Sequence, residues 1–567
     1  MLMEFAGVAL LLVILLTLAA PVGRYIGKVF NNEPNPLTPL LHPVEQAIYN
    51  LCGIDNKREM SWRTYAGALL IFNAIGIAVL FLLQELQIFL PINPQSLGPV
   101  RWDTAINTAV SFTTNTNWQA YSGEQTMSYL TQMLGLTVQN FLSASVGIAA
   151  AVAFIRGFTR KNVQTIGNFW VDLTRAVLYL LLPAAVIWAI IFASQGVVQT
   201  LEPYVYANTL DGKEQIIAVG PVASQDAIKF LGTNGGGFFN VNSAHPFENP
   251  TPLTDFLQVL GMLLIPMSLP FAFGWMIKDD KQGRAIFAIM LVLYLMGLSV
   301  AVWSETQGNP LLKNLGVAEG INMEGKEARF GVVPSVLFAQ STTATSCGGI
   351  NSMHDSMLPL TGLVLLFNMV IGEVIFGGVG VGLIGLLFYC IMTMFLAGLM
   401  IGRTPEIFGK KLEPFEMMMA VIALLAPSIA LLMLAGIAIM MPEALSSLNN
   451  AGPHGVSEIL YAFASACGNN GSAFAGLNAN TIFYNLALSA GMIVGRFATI
   501  LPALAIAGSL AQKKIIPYST ATLPVDSPLF VIMVAGTVII VGALTFFPVF
   551  VLGPIMEQLS LLSGRTF

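Results

Sequence analysis

Charge is what this sequence lacks most. Only 10% of its 567 residues are Asp, Glu, Lys or Arg, against about 25% in soluble domains. With 55% hydrophobic residues and a mean hydropathy of +0.74, a soluble globular fold is excluded and a polytopic membrane protein is expected. Basic tracts are missing and the net charge is −5, so nothing supports nucleic-acid binding. The four cysteines, Cys52, Cys347, Cys390 and Cys467, form no CxxC or other metal spacing and read as small packing residues. No GxxxxGK[ST] loop occurs, and the longest inner loop, 30–62, is too short to fold into a nucleotide domain. No catalytic site and no nucleotide are expected in this chain.

What is present is a set of four short polar runs: Asn115-Thr116-Asn117, Thr233-Asn234-Gly235, Ser346-Cys347-Gly348 and Asn469-Asn470-Gly471. Each is rich in Gly or Asn, which enter φ > 0 most readily. Each follows a stretch that can form a short helix: DTAINTAVSF, SQDAIKFL, PSVLFAQSTTAT and EILYAFASA. The final residues of the runs are spaced by 118, 113 and 123 positions (117 to 235, 235 to 348, 348 to 471). Irregular backbone at membrane depth survives only where protein buries it or where it lines a watery path. Four such hairpins around one axis, with carbonyls turned inward, make a cation filter. Helix C-caps and turns use the same residue types, but four copies between apolar spans favour the filter.

Apolar runs complete the pattern: ten transmembrane helices, arranged as one, four helix–pore-loop–helix repeats, and one. The expected segments are an N-terminal helix 1–29, a cytoplasmic loop 30–62, repeats at 63–160, 161–280, 281–411 and 412–514, and a C-terminal helix and tail 515–567. The fold class is thus all-α, with four pseudo-symmetric repeats around a central pore. Eighteen Lys and Arg residues fall on the side assigned to the cytoplasm and six on the hairpin side, with Arg565 in the tail. This puts the hairpins and both termini outside.

The third repeat is unusual. Between Leu358 and Gly402 the single charge is Glu373. That stretch could be two spans turning at Gly377-Gly378-Val379-Gly380-Val381-Gly382, or one overlong broken helix. The broken helix preserves both the charge asymmetry and the repeat, and its glycine run is then an intramembrane loop below the third hairpin, placed to gate a pore. Glu373, costly inside a span, is expected to face a pore, a cavity or a basic partner such as Arg403. Arg496 is expected to snorkel to the cytoplasmic surface. His245, His354 and His454 read as solvated loop residues. Asp226, Glu248, Asp355 and Glu458 either concentrate cations at the mouth or form plain solvated surface.

SFTTNTNWQAYSGE, GLTVQNFLSA, FLGTNGGGFFNVNSAHPFENPT, INMEGKEARFG, MHDS, IGEVIFGGVG, AGLMIGRTPE and GNNGSAFAGL resemble the potassium-binding A subunits (KdpA) of Kdp potassium-transporting P-type ATPases, over nearly the whole chain. The resemblance implies a four-fold pseudo-symmetric pore of the K⁺-transporter superfamily that includes Trk, Ktr and HKT proteins. It implies a bacterial inner membrane, K⁺ as the transported ion, and a complex with the ATPase subunit KdpB and the small subunits KdpC and KdpF. By that resemblance the K⁺ filter falls on Asn115, Thr116, Asn117, Thr233, Asn234, Gly235, Ser346, Cys347, Gly348, Asn469, Asn470 and Gly471. Gln119 then stands at the filter mouth, and Glu373, Gly377, Gly378, Gly380, Gly382 and Arg403 at the gate and pore exit. The alternative is a self-sufficient Trk/Ktr-like channel or symporter.

Overall fold

The computed structural model describes residues 2–317, 320–402, 404–516 and 524–565; Arg403 lies outside these. Among the described residues ten helices are long and apolar enough to cross a membrane: Leu2–Phe30, Trp62–Glu85, Thr131–Thr159, Phe169–Ser194, Pro252–Ile277, Asp280–Leu312, Val381–Met400, Pro414–Met440, Ile482–Gln512 and Pro528–Leu562. Their starts are set by local chemistry. Ser61, Asn168, Thr251, Asp279, Thr481 and Ser527 each accept a first-turn N–H, satisfying donors that have no partner inside the helix.

Four shorter helices sit between spans: Trp102–Thr113, Val222–Leu231, Val332–Ala344 and Gly452–Gly468. They run from 10 to 17 residues, too short to cross a ~30 Å hydrocarbon layer. The order is one span, four units of span, short helix and span, then one span.

In the third unit the second span is divided into Pro359–Val370 and Val381–Met400. The intervening backbone turns through left-handed residues, Gly372, Glu373, Phe376 and Gly380. At Gly380 (φ 95°) a Cβ would overlap the Gly147 carbonyl, so glycine is required there on two counts. Beyond Val381–Met400 the chain reaches Lys410, whose ammonium donates to Leu510 O (2.9 Å) and Lys513 O (2.8 Å) and also to Arg160 O. One cation thus caps the C-terminal ends of Thr131–Thr159 and Ile482–Gln512 together. This end of the divided helix lies level with theirs, so the divided helix crosses once.

The stretch 30–62, expected as a loop, contains a helix over Thr38–Cys52. Its inner face buries Glu45, which accepts from Tyr49 (2.7 Å), Tyr179 (2.8 Å) and Arg175 (2.7 Å). Leu40, Val44 and Leu51 remain exposed on the outer side.

At the opposite end, Val333 N–H at the start of the third short helix donates to Glu4 (3.2 Å). His454 in the fourth short helix meets Glu557 near the other chain end (2.7 Å). Both chain ends therefore lie on the face where the short helices begin. The centre is the span Thr131–Thr159, rich in Ala and Gly. Gly147 packs on the backbone of Val379 and Gly157 on that of Ala507, and residues this small are what let helices come so close.

Candidate functional site

Each short helix ends by throwing the same hydrogen bond. Thr116 N–H donates to Ser111 O (2.9 Å), Asn234 to Lys229 (2.8 Å), Cys347 to Thr342 (3.1 Å) and Asn470 to Ser465 (2.8 Å). All four bonds reach back five residues. The residue before each donor is left-handed: Asn115 (φ 64°), Thr233 (46°), Ser346 (57°) and Asn469 (60°). In three loops the residue after the donor is left-handed too: Asn117, Gly348 and Gly471. The second loop places that turn one residue later, at Gly236.

The four loops touch in a closed circle. Asn115 Nδ2 donates to Thr233 O (3.0 Å) and Asn234 Nδ2 to Asn115 Oδ1 (2.6 Å), joining the first and second. Cys347 Sγ donates to Asn234 O (3.1 Å), joining third to second. Ser346 Oγ donates to Asn469 O (2.8 Å), joining third to fourth. Asn469 Nδ2 donates to Thr116 Oγ1 (2.9 Å), joining fourth to first. The glycines are needed at the seams. A Cβ on Gly348 would overlap Asn470 O, one on Gly471 would overlap Thr116 O, and one on Gly235 would fall 2.9 Å from Thr116 O and 3.0 Å from Cys347 O. All twelve candidate residues lie in this circle.

Electrostatically the circle suits a cation. Four helix C-termini converge on it, each carrying about half a negative charge, and the loop carbonyls meet at the seams. On the side where the short helices begin lies a vestibule of about 560 Å³, lined by Gln119, Gly236, Gly348, Gly471 and Asn480 among others. Gln119 bridges two loops at this mouth: its amide donates to Gly237 O (2.9 Å) and accepts from Gly237 N (3.0 Å).

On the opposite side the broken segment closes against the circle. Val379 N–H donates to Thr233 Oγ1 (2.9 Å), and a Cβ on Gly378 would sit 3.1 Å from Ser346 Cβ. Glu373 is buried against Ser346, Asn470 and Gly468 without a well-formed hydrogen bond. Its expected partner Arg403 lies outside the described residues. A gap of about 60 Å³ lies beside Gly372, Val374, Gly468 and Asn469 and reaches the span Pro414–Met440.

Several outer residues differ from expectation. Arg496 does not snorkel: it is buried beside Gly147 and donates to Ser143 O (2.7 Å). Lys229, Asp226 and Glu248 are fully buried behind the second loop, with Lys229 paired to both carboxylates. Lys326 pairs with Glu305 (2.8 Å), both side chains buried. Two of the six hairpin-side cations are thus neutralised internally, which sharpens the charge asymmetry. None of the three histidines is a free loop residue. His245 stacks on Phe239 at 3.7 Å, His354 is fully buried, and His454 bridges Asp355 and Glu557. Glu458 is buried as well.

Sequence reading missed the residues that hold the loops from behind. Asn140 and Ser143, on the span Thr131–Thr159, bond Asn117 (2.5 Å) and Asn115 (2.8 Å). Their signal was present, since buried Asn and Ser in an apolar helix need partners.

Comparison with known proteins bears on this geometry. Residues 9–559 match the family described as KdpA, potassium-transporting ATPase A subunit. A "potassium-transporting ATPase potassium-binding subunit" of Methylorubrum extorquens is 54% identical over 560 residues, covering 99% of this chain and 98% of that one. The protein of the same description from Rhodopseudomonas palustris is 53% identical over 568 residues, covering all of both. Among solved structures, the potassium transporter TrkH from Vibrio parahaemolyticus superposes with a TM-score of 0.51 at 16% identity, over 88% of this chain and 96% of that one. The TrkH likeness is one of fold alone.

Proposed function

We propose a function that proceeds from one premise: this chain belongs to the family of potassium-transporting ATPase A subunits. It is a multi-pass membrane protein and the potassium-binding subunit of a K⁺-transporting ATPase. Within that frame the circle of four loops is the K⁺ filter, and the observation that carries this is its closure, loop to loop, at the C-terminal ends of four helices.

A K⁺ ion entering the vestibule exchanges water for loop carbonyls, while four helix ends supply partial negative charge at a site whose loop residues are buried. Gln119 holds the first two loops at the mouth. The segment 371–380, hydrogen-bonded to the underside of the circle through Thr233, blocks direct flow to the cytoplasm. Glu373 places a buried carboxyl group just below the loops. The ion leaves sideways, toward the ATPase subunit KdpB, in a complex that also holds KdpC and KdpF. The vestibule and both chain ends face outward, and this chain performs no covalent chemistry.

Crystals soaked in Rb⁺ or Tl⁺ test this reading: anomalous density is expected on the axis between Thr116, Asn234, Cys347 and Asn470. Density confined elsewhere would remove the filter from these loops.

A further inference from the structure

Behind the fourth loop lie three buried side chains that neither the filter nor the passage below it uses: His354, Tyr461 and Ser472. They are joined in series. His354 Nδ1 lies 2.6 Å from Tyr461 Oη, Tyr461 Oη 2.9 Å from Ser472 Oγ, and Ser472 Oγ 2.6 Å from Asn470 Oδ1.

Donor counting fixes the direction. Ser472 N–H also donates to Asn470 Oδ1 (3.0 Å), so that atom is the amide oxygen and the Ser472 hydroxyl proton points at it. Ser472 Oγ then accepts, and Tyr461 O–H donates to it. Tyr461 has one proton, so its bond with His354 is donated by Nδ1–H. Burial, with Lys326 nearby, pushes the His354 pKa down to about 3, so the ring is neutral. Its Nε2 is left as a bare lone pair without a partner among the described residues.

At the far end Asn470 Nδ2 donates to Thr342 O (2.9 Å), the carbonyl that also accepts Cys347 N–H. The corresponding residues of the other loops are held by partners within or beside the circle: Asn234 by Asn115, Cys347 by Asn234, Thr116 by Asn469. Asn470 has its amide N–H on Thr342 O beside the circle and its amide oxygen held by Ser472.

We infer that His354, Tyr461 and Ser472 are positioning residues for ion selection: a one-way chain of hydrogen bonds fixes the Asn470 amide and, through it, the spacing of the third and fourth loops. The inference rests on reading the circle as a K⁺ filter.

Tyr461→Phe keeps the ring stacked on Phe474 (4.6 Å between centroids) and removes only the hydroxyl. In the purified complex with its ATPase partner, K⁺ and Rb⁺ stimulation of ATP hydrolysis is measured. Half-saturating K⁺ is expected to rise about tenfold and the preference for K⁺ over Rb⁺ to shrink, with the maximal rate within about twofold of wild type. Ser472→Ala should match it, and the double variant should be no worse than either single. His354→Asn, whose amide places an N–H where Nδ1 stands, should stay near wild type, while His354→Gln should not. Unchanged half-saturation and ion preference in Tyr461→Phe overturn the inference. So does a lowered melting temperature with ion preference intact, which leaves the chain a structural brace only. A wild-type complex without K⁺ preference removes the filter reading and this inference together.

Discussion

Asn115, Thr233, Ser346 and Asn469 occupy a left-handed conformation that costs a residue with a Cβ roughly 1–2 kcal/mol. Each meets that cost with side-chain hydrogen bonds or packing across a seam: Asn115 to the second loop, Ser346 to the fourth, Asn469 to the first, and Thr233 by accepting from Val379. Gly348 and Gly471 have no such recourse. Both are left-handed and both face a neighbouring carbonyl where a Cβ would stand. Gly348→Ala or Gly471→Ala should push that carbonyl off the axis. We expect half-saturating K⁺ to rise at least about tenfold, equivalent to ~1.4 kcal/mol, while the protein still assembles with its partners. Isotope uptake at graded K⁺ checks this, and an unchanged curve would mean the displaced carbonyl never met the ion.

At the scale of elements, the helices were legible because apolar length alone sets them, and the polar loops because glycine and asparagine mark left-handed turns. Two things were not. The helix Thr38–Cys52 was hidden by its polar setting, although Leu37, Leu41 and Ile48 carry helical spacing and pack on the core. The buried charges were misplaced for another reason: Lys229, Glu248 and Arg496 each look solvated in a sequence, and only tertiary pairing or a carbonyl partner makes burial tolerable.

The tie between the fourth short helix and the last helix is also tertiary. His454 lies between Asp355 (2.8 Å) and Glu557 (2.7 Å). Burial lowers its pKa, but the hydrogen bonds and charges of those two carboxylates outweigh burial and raise it to about 10. A folded value above the ordinary 6.5 means the stabilisation is complete below about 6.5 and lost as pH climbs through about 10. The melting-temperature gap between wild type and His454→Gln should therefore be widest near pH 6 and close towards pH 10; a gap independent of pH would show that the imidazolium is not what binds these helices.

For the whole molecule, the match of one span, four units and one span to expectation follows from repetition, since each unit reports on the others. The divided third unit was legible through charge, because two crossings would have stranded Lys410 and Lys411 on the wrong face. The structure adds a broken segment closed against the circle through Val379 and Thr233, and a side gap beside it. Reconstituted alone, the chain should neither hydrolyse ATP nor pass a fast ohmic K⁺ current. Vanadate-insensitive K⁺ transport by the single chain would instead favour a channel or symporter of the Trk/Ktr type.

The way the loops join has one more consequence. Second grips first, third grips second and fourth, and fourth grips first, so the collar has no free edge from which to fray. Like a barrel hoop, it carries strain around its circumference: loosening any stave should be felt at the one diametrically across, and wounds in two quarters should not simply sum.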